Sequence, residues 1–305
     1  MARMNPIKPI SISVVMATYN WPEALMVALS SFIAQDTRGF ELLVADDGSD
    51  APIADLIRVF QHRGLPFRLR HIWHPHEGPR PGTIGNRAIE QANGEYIIMI
   101  DGDCFVLPDF VSVHRLLAEQ GCFISGKRSW LRKGITRRIL ASPEGWPSGR
   151  LYWFAQSLMN QCTRPLEFIP LPCDRRKRES EWRQVQTCNI GFWRSDWAEV
   201  NGFDERYVGM GLEDSDFAVR LIRKGIRRKL GNHASIVLHL NHDRRRGRIP
   251  ESPNCELFDE LLGSERFIAP VGFRQATSTA VTSTFDSTGR ARYGRFPPTP
   301  DARRN

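Results

Sequence analysis

The densest chemistry in this sequence is the tetrapeptide Asp101-Gly102-Asp103-Cys104, which follows directly on the apolar run Tyr96-Ile97-Ile98-Met99-Ile100. A short, unbroken apolar run introduced by a glycine, here Gly94, reads as a strand buried on both faces of a parallel sheet. The two carboxylates then sit at that strand's C-terminal end. Ligands of open α/β sheets bind in the crevice outside those ends, and two acidic groups converging there suit a hard divalent cation that also holds phosphate. A second acidic pair, Asp46-Asp47, ends the run Phe40–Ala45 in the same way and is followed by Gly48-Ser49. A turn with a helix cap accounts for it structurally. A carboxylate that accepts from the imide N–H of a pyrimidine base accounts for it functionally, and Asp47 is the residue assigned that task. Glu213-Asp214 opens a helix further on, where the dipole favours acids whatever else they do.

The elements that must position these groups alternate over the first third of the chain, the pattern of a parallel sheet covered by helices. Strands are expected over 10–17, 40–45 and 67–73. Asn20 is read as the cap of a helix carrying Pro22, Glu23, Leu25, Leu29, Phe32 and Ile33. Asp50 is read as the cap of a second, with Ile53, Leu56, Ile57 and Phe60 on one face. A third helix over 83–93 is expected to stop at Gly94. A helix from Pro108 to about 119 and a short strand over 122–125 complete this half. Residues 127–186 mix Trp130, Trp146, Trp153 and Trp182 with prolines and the basic run Arg175-Arg176-Lys177-Arg178, and read as a ligand-facing insertion. Regular signals return with a Ser195-capped helix, a helix over 212–224 and a strand over 234–240. The Ser-, Thr-, Arg- and Pro-rich stretch 271–305 reads as a disordered tail.

At 305 residues, with 41% hydrophobic and 25% charged residues, the chain can bury a full core. No run approaches the roughly 18 apolar residues of a membrane span, and the first residues lack the apolar core of a signal peptide. A cytoplasmic location is the expectation. The six cysteines lack metal-knuckle spacing and read as reduced thiols. The net charge of +8, carried mostly by arginine, favours an anionic partner. Nucleic acid is not the expected one, because the excess charge is spread along the chain and into the tail.

Val-Val-Met-Ala-Thr-Tyr-Asn at 14–20, Asp46-Asp47-Gly48-Ser49, Gly85-Asn86, Gly94-Glu95-Tyr96 and Asp101-Gly102-Asp103 occur in one order. Over roughly the first 125 residues the chain thereby resembles the nucleotide-sugar domain of family 2 glycosyltransferases with the GT-A fold. Asn201-Gly202-Phe203-Asp204-Glu205 and Gly209-Met210-Gly211-Leu212-Glu213-Asp214 resemble the galactosyltransferase-like part shared by chondroitin-polymerase-type and β-1,4-galactosyltransferase enzymes, with Met210 where that family has tryptophan. The resemblance implies an α/β GT-A domain with a mostly parallel central sheet flanked by helices. Residues 1–125 would form the nucleotide-sugar half, and 126–270 the acceptor-binding and catalytic half.

Residue by residue, it implies that Ala17, Thr18, Tyr19, Asn20, Glu23, Asp47, Arg80, Asn86, Asp101 and Gly102 hold the nucleotide. Arg80 or Arg87 would replace the arginine that many relatives carry at the position of Gly85. Asp103, His242 and, second to it, His239 would bind Mn²⁺ or Mg²⁺. Asp214 would be the general base, and Glu213 would contact the acceptor or donor sugar. The implied activity is metal-dependent, inverting transfer from a nucleoside-diphosphate sugar, UDP-linked by analogy, to a glycan, lipid-linked or small-molecule acceptor, with peripheral contact at the inner face of a membrane. Apart from the resemblance, Arg175–Arg178 read as a solvated loop or as holding the donor diphosphate or an anionic acceptor, and Arg244–Arg246 as solvated or as holding the pyrophosphate. The rival reading is a non-catalytic nucleotide- or glycan-binding module that keeps the GT-A shell.

Overall fold

The computed structural model describes residues 10–209, 211–242, 252–275, 282–285 and 291–294. Met210 and Arg244–Arg246 lie outside them. Along the chain run β1 (Ile12–Thr18), α1 (Pro22–Ile33), β2 (Phe40–Asp46), α2 (Ala51–Gln61), β3 (Arg68–Trp73), α3 (Pro81–Glu90), β4 (Tyr96–Asp101), β5 (Cys104–Val106), α4 (Phe110–Leu117) and β6 (Cys122–Ser125). They are followed by β7 (Lys127–Trp130), α5 (Lys133–Ala141), α6 (Arg150–Leu158), β8 (Ile190–Trp193), α7 (Arg194–Glu199), α8 (Glu213–Arg223), β9 (Arg227–Leu230), β10 (Ile236–His239) and α9 (Pro253–Leu262). The segment expected to be an insertion without regular elements therefore contains a strand and two helices.

A seven-stranded sheet has the order β3-β2-β1-β4-β8-β6-β9. Pairing is parallel from β3 through β4 and between β6 and β9, while β8 runs antiparallel to both of its neighbours. The pleat divides each apolar run between two cores. Val14, Met16, Leu42, Val44, Ile98 and Ile100 face α1, α2 and α4 on one side. Val15, Leu43, Ala45, Ile97 and Met99 face α3, α7 and α8 on the other. Burial on both faces is why these strands read as continuous apolar runs. A smaller sheet, β5-β10-β7, is covered by α5 and α6 through Leu131, Ile135, Ile139, Trp153 and Leu238. In the stretch 271–305 expected to be disordered, a 3-10 turn spans Phe273–Gln275 and β11 (Thr282–Phe285) pairs antiparallel with β12 (Ala291–Gly294), while 276–281, 286–290 and 295–305 lie outside the described residues.

At two expected helix starts the capping side chains, Asn20 and Asp50, are claimed by each other. Asn20 binds the turn after β2: its N–H donates to Ser49 Oγ at 2.9 Å, and its side chain exchanges hydrogen bonds with Asp50. Neither Asn20 nor Asp50 caps a helix with its side chain, and the N-cap of α7 is Trp193 rather than Ser195. Prolines in the first turn set the starts of α1, α2 and α3 instead. Helix α3 ends at Glu90, before Gly94. Gly94 serves a close approach, since a Cβ there would lie 2.4 Å from the Ser13 nitrogen.

Asn86, expected at the nucleotide, is instead 1% exposed in the core. Its Oδ1 accepts from Phe203 N at 2.8 Å and Trp197 Nε1 at 3.1 Å, and its Nδ2 donates at 2.9 Å to Phe203 O and Glu205 Oε1. Two donors and two lone pairs are all a carboxamide has, so nothing remains for a ligand. Asn86→Ala strands these partners, and unfolding in urea is expected to show a loss of about 3 kcal/mol. A loss below about 0.5 kcal/mol would contradict this account.

Candidate active site

Parallel pairing of β1 with β2 and β4 brings Thr18, Asp46 and Asp101 to one edge of the sheet. There the chain turns sharply through Gly102, whose N–H donates to Ala17 O at 2.6 Å. A Cβ on Gly102 would meet the Thr18 side chain at 2.9 Å, so only glycine lets the acidic loop close on β1. Beyond it, β5 pairs antiparallel with β10 and sets Cys104 opposite His239. Leu240 N donates to Asp103 O at 3.0 Å. His239 Nε2 then lies 3.5 Å from Asp103 Oδ1, and His242 Nε2 lies 3.3 Å from Asp103 Oδ2.

The donor set suits a divalent cation. The His239 ring donates through Nδ1 to Leu240 O at 2.7 Å, and a carbonyl can only accept. Burial keeps this imidazole neutral by lowering its pKa, the Asp103 charge opposing in part. Its Nε2 therefore carries a lone pair directed at a carboxylate oxygen. Two facing acceptors repel unless a cation lies between them. Asp101, Asp103, Cys104 and His239 each offer a ligand atom within 4.8 Å of the others.

Asp214 reaches the same region from α8. The loop before it is left-handed at Gly209 and Gly211 (φ 87° and 98°) and at Leu212, whose φ of 77° is strained for a side-chain-bearing residue. Gly209 N donates to Pro79 O at 2.7 Å, and Asn254 Nδ2 donates to Gly211 O at 3.0 Å, so the loop is tied at both ends. Behind it the fully buried Arg220 donates through Nε to Asp216 at 2.6 Å and through Nη1 to the carbonyls of Val200 and Gly202. Asp214 Oδ1 accepts from Ser215 N at 2.7 Å.

Crowding and partial burial make most of these acids hold their protons. Burial first, then the charge of Asp103, pushes Asp101 up to about 7. Burial and Asp214 push Glu213 up to about 8, and burial raises Asp214 as well. Burial also acts to raise Asp103, but the hydrogen bond from His242 and the two imidazoles outweigh it and hold the group low. The folded protein thus keeps protons on Asp101 and Glu213 that the unfolded chain releases near pH 4, so stability from these groups is lost as pH rises through 7 and 8. His239, lowered, acts in the opposite sense below about 6.5. With chelator present, stability is expected to fall between pH 6.5 and 8.5 by on the order of 2 kcal/mol. Thermal melts over that range check this, and Asp101→Asn should flatten the fall.

Among the residues expected to hold the nucleotide, Tyr19 is exposed and stacks on His76 with ring centroids 4.4 Å apart. Asp47 is already engaged: Oδ1 pairs with His74 Nε2 at 2.5 Å, and Oδ2 accepts from Arg80 N at 2.8 Å. The Arg80 side chain pairs with Glu77, so its backbone, not its guanidinium, meets Asp47. The Arg87 guanidinium is faced by Glu205. Glu23 is exposed in the first turn of α1. Arg175 donates to the carbonyls of Leu230 and Asn232, Arg176 pairs with Glu119 and Arg178 with Glu181, so these arginines of the basic run brace the protein's own chain.

Two site residues, Arg128 and Trp21, were missed in the sequence. Arg128 on β7 lies over the Trp130 ring at 4.4 Å, and its charge lowers both Asp101 and Asp214. Trp130 packs on His239 at 4.0 Å, and Trp21 meets His242 edge-on at 5.8 Å. Trp153 is fully buried in the core of the smaller sheet, and Trp182 packs edge-on against Phe258. No periodicity marks Arg128, because β7 is four residues long.

The fold and the acidic edge define a GT-A glycosyltransferase architecture. Residues 13–166 match the profile of Glycosyl transferase family 2, half of the chain, and residues 172–243 match that described as the N-terminal domain of galactosyltransferase. The chain belongs to glycosyltransferase family 2. It is 25% identical over 228 residues to validoxylamine A glucosyltransferase of Streptomyces hygroscopicus subsp. jinggangensis, covering 70% of this chain and 52% of that one. It is 23% identical over 232 residues to chondroitin synthase of Pasteurella multocida, covering 72% and 23%. The chain thus spans about half the length of the first of these relatives and less of the second. Among solved structures, S. aureus TarS 1-349 in complex with UDP has a TM-score of 0.53 at 15% identity, covering 75% of this chain and 60% of that one. Mannosyltransferase PcManGT from Pyrobaculum calidifontis, in complex with GDP-Man and Mn²⁺, has a TM-score of 0.53 at 17% identity, covering 78% and 59%.

Proposed function

We propose that this chain catalyses metal-dependent, inverting transfer of a sugar from a nucleoside-diphosphate sugar, UDP-linked by preference, to an acceptor hydroxyl. The observation that carries the reading is the meeting of Asp101, Asp103, His239 and His242 with the half-buried Glu213-Asp214 pair at one sheet edge. Asp103, His242 and His239 are the residues that would hold Mn²⁺ or Mg²⁺, which when bound neutralises charge on the leaving diphosphate. Asp47 and Tyr19 take the base, and Asp101 the ribose side. Asp214 Oδ2, the oxygen not bound by Ser215, accepts the acceptor proton as that hydroxyl attacks the anomeric carbon on the face opposite the diphosphate. Its raised pKa makes it a stronger base than an exposed aspartate. Glu213 steadies the sugar, and Arg128 offsets the acidic cluster. Solved structures of similar fold that contain UDP or GDP-Man with Mn²⁺ support the donor class.

The test is a screen of UDP- and GDP-sugars for release of nucleoside diphosphate, with Mn²⁺, with Mg²⁺ and with chelator. Metal-dependent release from at least one donor is the expected result. No release from any donor would overturn the reading in favour of a binding module.

A further inference from the structure

Helix α6 packs Trp153 and Ser157 inward but turns Leu151, Ala155 and Leu158 to solvent. These lie at i, i+4 and i+7, one stripe on a helix. Leu151 is 82% exposed and Leu158 66%, and Met159 and Leu166 beside them are 56% and 59% exposed. Single exposed leucines need no explanation, but a contiguous group marks an interaction surface.

The charge around the stripe identifies its partner. Residues 131–172 contain six cations and two carboxylates. Glu144 is taken by Arg63, and Glu167 is buried and accepts from His233 N. Arg150 pairs with Asp109. Arg132, Lys133, Arg137, Arg138 and Arg164 are exposed and form no ion pair among the described residues. The basic group adjoins the stripe: Arg132 at the start of α5 donates to Asn160 Oδ1 at 2.8 Å just past the end of α6, and its N–H donates to Gln161 O. Both helices cover the same small core with their inner faces.

We infer that this α5–α6 face docks on an anionic lipid surface, the leucine stripe entering the headgroup boundary and the five unpaired cations meeting acidic headgroups. An apolar stripe bordered by cations is the pattern of a helix lying in the membrane interface. A symmetric pairing of two copies through this face would set like charges against each other, which argues against a second copy as occupant. No helix among the described residues is long and apolar enough to cross a membrane. This inference is independent of the proposed activity.

Co-sedimentation of the full chain with phosphatidylcholine vesicles, with and without phosphatidylglycerol, tests it. Binding is expected only with phosphatidylglycerol and should weaken with salt. Arg137→Gln with Arg138→Gln should weaken it about 25-fold, roughly fivefold per charge. Leu151→Glu with Leu158→Glu should abolish it. All variants should keep the wild-type circular dichroism and elution volume. Equal binding to neutral vesicles, or equal binding by both double variants and wild type, overturns the inference. So does a wild-type dimer that fails to bind vesicles and becomes monomeric on Leu151→Glu with Leu158→Glu.

Discussion

Asp214→Asn is expected to lower sugar transfer by about a thousandfold, the usual scale for loss of a general base, while nucleotide-sugar affinity changes little. The substitution keeps shape and can still accept from Ser215 N through its amide oxygen, so the left-handed loop and the start of α8 should persist. It removes the group that takes the proton, and with it part of the repulsion that raises Glu213. Binding of a UDP-sugar measured by calorimetry should survive while turnover falls. Turnover near wild type would remove Asp214 from the mechanism, leaving Glu213 as the remaining carboxylate of the pair.

Asp103→Ala should instead abolish both turnover and metal-dependent nucleotide binding. Its two oxygens face two imidazoles within 3.5 Å, so it is the centre of the donor set rather than one contributor among equals. Without it, His239 and His242 lose the carboxylate they share, and Asp101 loses the charge that helps to raise it. Calorimetry with UDP and Mn²⁺ should show affinity reduced by about 100-fold or more, consistent with a loss of several kcal/mol of metal-mediated charge stabilisation. The two variants therefore separate: one binds and does not turn over, the other does neither. Unchanged Mn²⁺-dependent UDP binding in Asp103→Ala would show that the cation, if one binds, sits elsewhere.

What could be read from the amino acids followed burial. Strands β1, β2 and β4 are covered on both faces, so their apolar runs are unbroken and the acids that end them stand out. Strands β7 and β9, Lys-Arg-Ser-Trp and Arg-Arg-Lys-Leu, carry no such mark. Arg228 in β9 is 1% exposed only because the carbonyls of Glu181 and Arg183 accept from its Nη1. Those partners lie more than forty residues away, beyond the reach of any local pattern. Asn86 was misjudged on the same ground, because its partners are at 197 and 203–205. The caps diverged for a related reason: Asp50 does stand at the N-cap of α2, but its side chain and that of Asn20, both sound capping types, bond to each other instead of to a helix end.

The bolt formed by Asn86 bears on how such a protein can be re-engineered. Its carboxamide joins α3, beside the nucleotide crevice, to the segment that leads into the Asp214 loop, and the Gly209–Pro79 hydrogen bond makes a second joint. The segment on either side of this seam is thus not an interchangeable cassette. A chimera that imports residues 200–216 from a relative should fold only when its residue 205 can still accept from Asn86 or residue 86 is changed with it, so changes in this segment would have to be made on both sides of the seam together.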